Sequence, residues 1–277
     1  MVIDTHSHVQ FPAYNDDRDG LIAKTLAENV WMINVGTKYQ TSVQAVELAE
    51  KYESGVYAAI GLHPMHAGAE FLKQRHDENE ESGLELETTF DKEKYLALAK
   101  SKKVVAIGEI GLDYYYKPKS ATKLAEFKAK QKQVFMQQLD FAKELDLPII
   151  IHCRMAHQDL LEILKSYILN HKSVRGVVHC FTGNLEEMRQ YVALGFHIGL
   201  NGIMFKLNLD EVVKTVPMEN MLLETDCPYL TPSMAESQRN EPLFMSYTIQ
   251  KIAELKGVSV EEVVEATTQN ARKLFNI

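Results

Sequence analysis

Cysteine is scarce in this sequence, which has three cysteines among 277 residues. So few cysteines, and an odd number of them, exclude a small disulfide-stapled fold and favour a reducing compartment. No apolar run approaches the roughly 18 to 20 residues that a membrane span needs. The first residues, MVIDTHSHVQF, have neither the basic region nor the long apolar core of a secretory signal. These absences predict a cytoplasmic protein without a membrane segment.

Positive charge is also in short supply, with 30 lysines and arginines against 38 aspartates and glutamates and a formal net charge of -8. Six of the acidic residues lie between positions 77 and 87, and the chain without those six would carry -2. The acidity is therefore largely local, and it does not exclude a nucleic-acid substrate. The polar segment at about 68–90 is predicted to be an acidic surface insertion.

Short apolar runs recur along the whole chain, as expected of parallel strands that are covered on both faces. Eight such runs can be counted, at 1–4, 31–36, 56–62, 104–111, 147–153, 176–181, 195–202 and 221–227. Amphipathic stretches such as 121–145 lie between them, and no linker rich in proline, glycine or serine divides the chain. The pattern predicts an α/β fold in which residues 1–277 form one (β/α)8 TIM barrel; a doubly wound open sheet is the main alternative.

Residues that can bind metals are concentrated at the ends of these runs. His6 and His8 are two positions apart on the first predicted strand, so strand alternation places both on one face together with Asp4. Other such residues end later runs, namely His63, Glu109, His152, His179 and Asp226. The carboxyl ends of barrel strands form the rim on which these enzymes build their active sites.

Such a collection of imidazoles and carboxylates would be costly to bury without cations. The sequence therefore predicts a metal site with enough ligands for two divalent cations, and Glu109 is the carboxylate best placed to bridge them. Two cations can polarise a phosphoryl or acyl oxygen and lower the pKa of a bound water. The ligand types leave zinc, manganese and magnesium open.

Each of the three cysteines directly follows one of these residues, at Cys153, Cys180 and Cys227. Where a strand continues, a side chain next to an inward-facing ligand faces outward. The cysteines are therefore expected to pack against the helices rather than to bind metal.

Groups that could hold an anion or a base occur near the same rim. Arg154 is two residues after His152 and is expected on the same face, where an arginine beside metals suits phosphate binding. Lys206 and Arg239 follow the seventh and eighth strands, and for each of them alone a solvated surface charge is the favoured interpretation. The run Tyr114–Tyr116 could stack on bases or be buried under the next helix.

Seven segments taken together resemble the TatD family of metal-dependent hydrolases, within the amidohydrolase superfamily of barrels. They are IDTHSH at 3–8, IGLHP at 60–64, AIGEIGLDYY at 106–115, PIIIHCR at 148–154, VVHCFTG at 177–183, LLETDCPYLTP at 222–232 and RNEP at 239–242. The resemblance implies a first metal held by His6, His8, Glu109 and Asp226 and a second held by Glu109, His152 and His179. It also implies that Asp226 activates the attacking water and that His63 supports the site or contacts substrate.

Members of this family are described as deoxyribonucleases that often remove nucleotides from a 3′ end with magnesium, manganese or zinc. Some relatives instead remove D-amino acids mischarged onto tRNA. Two departures concern substrate contacts. The segment PSMAES at 232–237 lacks basic residues that many members carry, which leaves Arg239, and Met155 replaces a residue that is commonly polar or acidic.

Hydrolysis of DNA phosphodiester bonds, as a 3′–5′ exonuclease, is the leading functional prediction. DNA is then the substrate, and Asp226, Glu109, His63, Arg154 and Arg239 are the expected catalytic and substrate-binding residues. The same site could also cleave an ester or amide, as a D-aminoacyl-tRNA deacylase does. A metal-bearing scaffold without activity is the third possibility, and it would leave the water-activating Asp226 idle.

Overall fold

A computed structural model of the chain describes residues 1–72, 79–80, 87–171 and 174–277. Its eight strands run over Val2–Ser7 (β1), Val30–Val35 (β2), Val56–Ile60 (β3), Val104–Asp113 (β4), Ile149–Arg154 (β5), Gly176–Val178 (β6), His197–Leu200 (β7) and Met221–Leu223 (β8).

The helices of the described residues alternate with these strands. They run over Arg18–Ala27 (α1), Tyr39–Glu50 (α2), Pro64–Ala67 (α3), Lys92–Leu98 (α4), Ala121–Glu144 (α5), His157–His171 (α6), Leu185–Ala193 (α7), Asp210–Thr215 (α8), Met245–Lys256 (α9) and Val260–Phe275 (α10). The amphipathic stretch at 121–145 forms α5, as its spacing predicts.

Each strand pairs in parallel with the next one along the chain, from β1 with β2 to β7 with β8. The sheet closes between its first and last strands, where Ser7 bridges Cys227 in parallel. The Asp226 amide also donates to the carbonyl of His6 at 2.8 Å, and the His8 amide donates to the carbonyl of Cys227 at 2.9 Å. The predicted (β/α)8 barrel is confirmed, and the open doubly wound alternative is excluded.

Strand alternation divides the apolar side chains between the inside and the outside of the barrel. On β5, Ile150 joins a small inner cluster, whereas Ile149 and Ile151 join the large cluster between strands and helices. Leu274 and Phe275 of α10 also pack in the inner cluster. Ile3, Val105 and Ile150 of that cluster are each the second residue of their strand, and Thr268 of α10 donates a hydrogen bond to the Met1 carbonyl at 3.0 Å. Helix α10 therefore closes the amino-terminal end of the barrel, and the polar residues occupy the other end.

Several predicted strand ends are shifted along the chain. β3 and β8 each stop three residues before His63 and Asp226, so these two side chains lie in the loops that follow. β4 instead continues past Glu109 to Asp113. All of them still belong to the carboxyl-terminal side of the barrel.

Much of the predicted acidic insertion at 68–90 lies outside the described residues, which omit 73–78 and 81–86. Two of its glutamates contact the barrel. Glu80 Oε1 accepts hydrogen bonds from Thr37 Oγ1 at 2.5 Å and from His66 Nε2 at 2.7 Å. Glu87 Oε2 accepts a hydrogen bond from the Tyr39 amide at 2.6 Å. These contacts anchor part of the segment beside the loops that follow β2 and β3.

The cysteines do not all pack as expected. Cys153 and Cys227 are buried in the outer apolar cluster, as predicted. Cys180 is only half-buried, and its Sγ lies 3.7 Å from Asn201 Oδ1. It sits one residue beyond His179 and two beyond the end of β6, where the alternation of the strand no longer applies.

None of the helices in the described residues has both the length and the hydropathy that a membrane span requires.

Candidate metal centre

Glu109 is the centre of a cluster of imidazoles at the carboxyl-terminal mouth of the barrel. Its Oε1 lies 2.7 Å from His152 Nδ1, 3.1 Å from His179 Nε2 and 3.4 Å from His63 Nε2. Its Oε2 lies 3.5 Å from His6 Nε2. Glu109 is supplied by β4, and its carboxylate therefore contacts residues from four other parts of the barrel.

The Asp226 carboxylate lies beside the imidazoles of His6 and His8. Its Oδ1 is 3.4 Å from His8 Nε2 and 3.7 Å from His6 Nε2, and the two imidazole nitrogens are 3.1 Å apart. The His6 ring also stacks on that of His179, with centroids 3.7 Å apart. These contacts bring all six predicted metal ligands into one cluster.

Three sets of residues each place their donor atoms within 4.8 Å of one another. They are His6 with His8 and Glu109, His6 with His179 and Asp226, and His63 with Glu109 and His152. Imidazole nitrogen and carboxylate oxygen are the ligands used for zinc, manganese and magnesium. The donor set therefore fits divalent metal, and Glu109 is shared by two of the three sets.

Hydrogen bonds to the second ring nitrogen orient two of the histidines. His8 Nδ1 lies 2.7 Å from the Val35 carbonyl, to which it can only donate, so that Nε2 has a lone pair for a metal. His63 behaves in the opposite way, because its Nδ1 accepts a hydrogen bond from the Met65 amide at 3.1 Å. In neutral His63 the proton is then on Nε2, which makes this atom a donor to an oxygen.

Two carboxylates that were not predicted from the sequence contact the second ring nitrogens of His152 and His179. Asp113 Oδ2 lies 3.0 Å from His152 Nε2, and Glu224 Oε1 lies 3.3 Å from His179 Nδ1. Such second contacts fix the orientation of a ligating imidazole and raise its basicity. Strand alternation could have identified both, since Asp113 is four residues beyond Glu109 and Glu224 is two residues beyond the inward-facing Leu222.

The pKa values of the cluster reflect these contacts. Burial opposes a charge on His152, but hydrogen bonds to Asp113 and Glu109 outweigh it and raise its pKa from 6.5 to about 9. The pKa of His179 is likewise raised, since the charges of Glu224 and Glu109 outweigh burial. The pKa of Glu109 is held well below its usual value, despite burial, by the surrounding imidazoles. Without metal, protons on His152 and His179 therefore compensate the negative charge of the buried carboxylates.

Asp226 differs from Glu109 in its access to solvent. Its side chain is 15% exposed, against 5% for Glu109. Burial would raise the pKa of Asp226, but a hydrogen bond to His8 and the nearby imidazole charges lower it overall. Asp226 is therefore an ionised carboxylate at the open side of the cluster, where it can accept a proton from a water molecule.

Arg154 lies beside this centre, as predicted. Its Nε pairs with Asp113 Oδ2 at 3.0 Å, and Asp113 in turn contacts His152. The guanidinium carbon is 4.3 Å from the ring centroid of Tyr115 and 5.2 Å from that of Tyr116. Arg154 thus connects the candidate metal centre to two tyrosines of the rim.

The other predicted anion-binding and stacking residues have different positions. Arg239 donates two hydrogen bonds to the carboxylate of Asp17, at 2.9 and 2.6 Å, and one to the Ala13 carbonyl at 2.8 Å. Its guanidinium is therefore engaged by the segment that precedes α1, and its contact with substrate stays a prediction. Lys206 is exposed. Tyr114 is buried, and its hydroxyl donates to Asp159 Oδ2 at 2.8 Å.

Comparison with known proteins places the chain among metal-dependent hydrolases. The family model described as TatD related DNase matches residues 3–276. An uncharacterized metal-dependent hydrolase of Bacillus subtilis, YabD, is 40% identical over 281 residues, which covers 100% of both chains. The 3′-5′ ssDNA/RNA exonuclease TatD of Pantoea ananatis is 32% identical and covers 95% of each chain.

Solved structures agree with this comparison. The crystal structure of YJJV, a TatD homologue from Escherichia coli K12, superposes with a TM-score of 0.81 at 29% identity and covers 100% of this chain and 98% of its own. A hydrolase of the TatD family from Entamoeba histolytica has a TM-score of 0.80 at 24% identity, with coverages of 99% and 97%. This second likeness concerns the fold alone.

Proposed function

The chain belongs to the family of TatD-related DNases, hydrolytic enzymes, and from this premise we propose that it is a 3′–5′ exonuclease that uses two divalent metal ions to hydrolyse phosphodiester bonds in single-stranded DNA. The observation that carries the proposal is the position of Asp226. This ionised carboxylate lies at the open side of a cluster of nitrogen and oxygen donors, 3.4 Å from His8 Nε2. Relatives that are 32% and 34% identical, from Pantoea ananatis and Erwinia amylovora, are named as exonucleases of single-stranded DNA and RNA.

The proposed ligands divide into two sets that share Glu109. His6, His8 and Asp226 would hold one ion with Glu109, and His152 and His179 would hold the other. Metal ions bound there would lower the pKa of a water molecule, neutralise the charge of the scissile phosphate and stabilise the 3′ oxygen that leaves when its bond to phosphorus breaks. Imidazole nitrogen and carboxylate oxygen fit magnesium, manganese and zinc.

Protein groups then perform the remaining steps. Asp226 accepts the proton of the attacking water, as its lowered pKa and partial exposure allow. His63 is neutral, because burial lowers its pKa, and its Nε2–H can donate a hydrogen bond to a phosphate oxygen. Asp113 and Glu224 keep the rings of His152 and His179 in their orientations.

The test is a digestion of single-stranded DNA labelled at its 5′ end by metal-free protein to which magnesium, manganese or zinc has been restored. A ladder of products that shortens from the 3′ end in the presence of metal supports the proposal. The Asp226→Asn variant should lose this activity but keep its thermal melting temperature. It should still bind the ion proposed for Glu109, His152 and His179 with unchanged affinity. The same strand labelled at its 3′ end should release single nucleotides.

A parallel reaction distinguishes the bond that is cleaved. Release of D-tyrosine from charged tRNA, without shortening of DNA under any of the three metals, would contradict the proposal and favour a deacylase.

A further inference from the structure

We propose that the rim surface formed by Tyr115, Tyr116, Lys117, Lys119 and Arg154, hereafter the tyrosine surface, binds the unpaired bases and phosphates of the single strand whose end enters the metal centre. This inference rests on the proposed function, since it assigns a path to the same substrate. It concerns binding only and assigns no chemical step to these residues.

Tyr115 has the exposure and surroundings that base stacking requires. Its side chain is 52% exposed, although it is aromatic and lies at the mouth of the barrel. The Arg154 guanidinium lies over its ring at 4.3 Å, and the Tyr116 ring meets it edge-on with centroids 4.7 Å apart. Aromatic rings with an arginine beside them are the common platform for single-stranded nucleic acid, because every base has a face that can stack.

The chain segment that carries this platform is positively charged, unlike the whole protein. From Tyr114 to Lys132 the sequence has six lysines and one acidic residue, Glu126, whereas the whole chain has a formal net charge of -8. Lys117 and Lys119 of this stretch are exposed. A local basic surface on an acidic protein is expected where a phosphate backbone binds.

Arg154 retains donors for a phosphate. Its ion pair with Asp113 uses Nε, and within the described residues its two terminal nitrogens have no hydrogen-bonding partner. The side chain is 39% exposed, and the next residue, Met155, is 65% exposed and adds no competing carboxylate. An arginine in this state can donate two hydrogen bonds to a phosphate.

Asp113 places this surface next to the metal centre. Its Oδ2 contacts both His152 Nε2 and Arg154 Nε at 3.0 Å, and its Oδ1 accepts a hydrogen bond from the Tyr115 amide at 2.9 Å. One buried carboxylate therefore holds a metal-ligand histidine, a candidate phosphate-binding arginine and the backbone of the exposed tyrosine. A base on Tyr115 would belong to a nucleotide close to the scissile bond.

The experiment measures binding separately from cleavage. Binding of a 5′-fluorescein-labelled strand of about 12 nucleotides, within the range of single-strand site sizes, is followed by anisotropy in manganese-loaded Asp226→Asn protein, with and without Tyr115→Ala. A second strand carries abasic residues along its 3′-terminal third. We expect Tyr115→Ala to weaken binding of the normal strand about tenfold and of the abasic strand less than about twofold, since stacking needs a base. Tyr115→Phe should restore binding.

A second pair of variants tests the charges. Exchanging Lys117 and Lys119 for glutamine should reduce the slope of log Kd against log salt by about 1.4, at about 0.7 for each phosphate of a single strand that a lysine no longer neutralises. Lys24→Gln with Lys51→Gln removes the same charge at the far ends of α1 and α2, away from the rim, and should leave the slope unchanged.

Cleavage by proteins that retain Asp226 completes the test. Tyr115→Ala should raise the KM for the normal strand about tenfold with little change in kcat. Equal losses on normal and abasic strands, or a loss that Tyr115→Phe does not restore, would overturn the inference while leaving the nuclease proposal intact. Binding that depends on Tyr115 in a protein that cleaves no DNA would support the surface and refute the proposed function.

Discussion

Metal binding by this protein should be coupled to proton release well above the pH at which an ordinary histidine is neutral. His152 Nδ1 lies 2.7 Å from Glu109 Oε1, and burial of its ring is outweighed by hydrogen bonds to Asp113 and Glu109 that raise its pKa to about 9. Because a metal needs the lone pair of a neutral imidazole, the proton on Nδ1 has to leave when the ion binds.

The size of the effect follows from the distance between the pH and this pKa. At pH 7, about two units below this pKa, the proton on His152 competes with the metal and lowers the apparent metal affinity about 100-fold. At pH 8 the penalty is about tenfold. The apparent affinity should therefore rise at least about tenfold from pH 7 to pH 8. His179, whose pKa is also raised, acts in the same direction, whereas His6, whose pKa burial lowers, releases no proton in this range.

Calorimetric titration of metal-free protein with manganese, in two buffers of different ionisation enthalpy, counts the protons released. We expect at least about 0.9 proton from His152 at pH 8. Asp113→Asn removes a hydrogen bond that raises the pKa of His152, so it should reduce this number at pH 8. An affinity that stops rising above pH 7, with less than about 0.3 proton released at pH 8, would show that metal does not displace a proton from His152.

Three substitutions test other parts of the account. Glu109→Gln should weaken the binding of both metal ions in a manganese titration, because Glu109 Oε1 faces His152 and His179 while its Oε2 faces His6. Asp226→Asn should weaken the binding of one ion, and equal effects of the two substitutions would contradict a bridging role for Glu109. Leu274→Ala should cost about 2–5 kcal/mol by leaving a cavity at the closed end of the barrel, seen as a lower midpoint in urea with little change in metal affinity. Ser259→Ala removes the side-chain cap on the Glu262 amide and should cost about 1 kcal/mol, or about 2–4 °C in melting temperature.

The barrel could be predicted from the sequence because each strand is a short apolar run whose alternating side chains serve two clusters. Ile150 faces the inside and its neighbours face the helices, so that the next inward position on β5 is His152. The same alternation correctly gathers the imidazoles and carboxylates at one end. It fails at Cys180, which lies just beyond the short strand β6.

Other features depend on contacts that sequence spacing does not contain. Arg239 pairs with Asp17, which is 222 residues away in the chain, so nothing in its neighbourhood reveals that its charge is already engaged. The proton position on His63 depends on the Met65 amide, which a loop geometry brings to Nδ1. Strand alternation places Asp113 and Glu224 on the inward face of the barrel. Their roles follow only from the structure, which shows their carboxylates beside His152 and His179.

We propose that the cluster around Glu109 is a two-metal hydrolytic centre acting on single-stranded DNA. The most direct measurement adds manganese stepwise to metal-free protein and follows the shortening of a 5′-labelled strand in each sample. Shortening from the 3′ end should reach its plateau at two equivalents of metal and should be absent in Asp226→Asn. Undiminished shortening of the strand by chelator-treated protein, or a plateau that Asp226→Asn also reaches, would contradict this proposal.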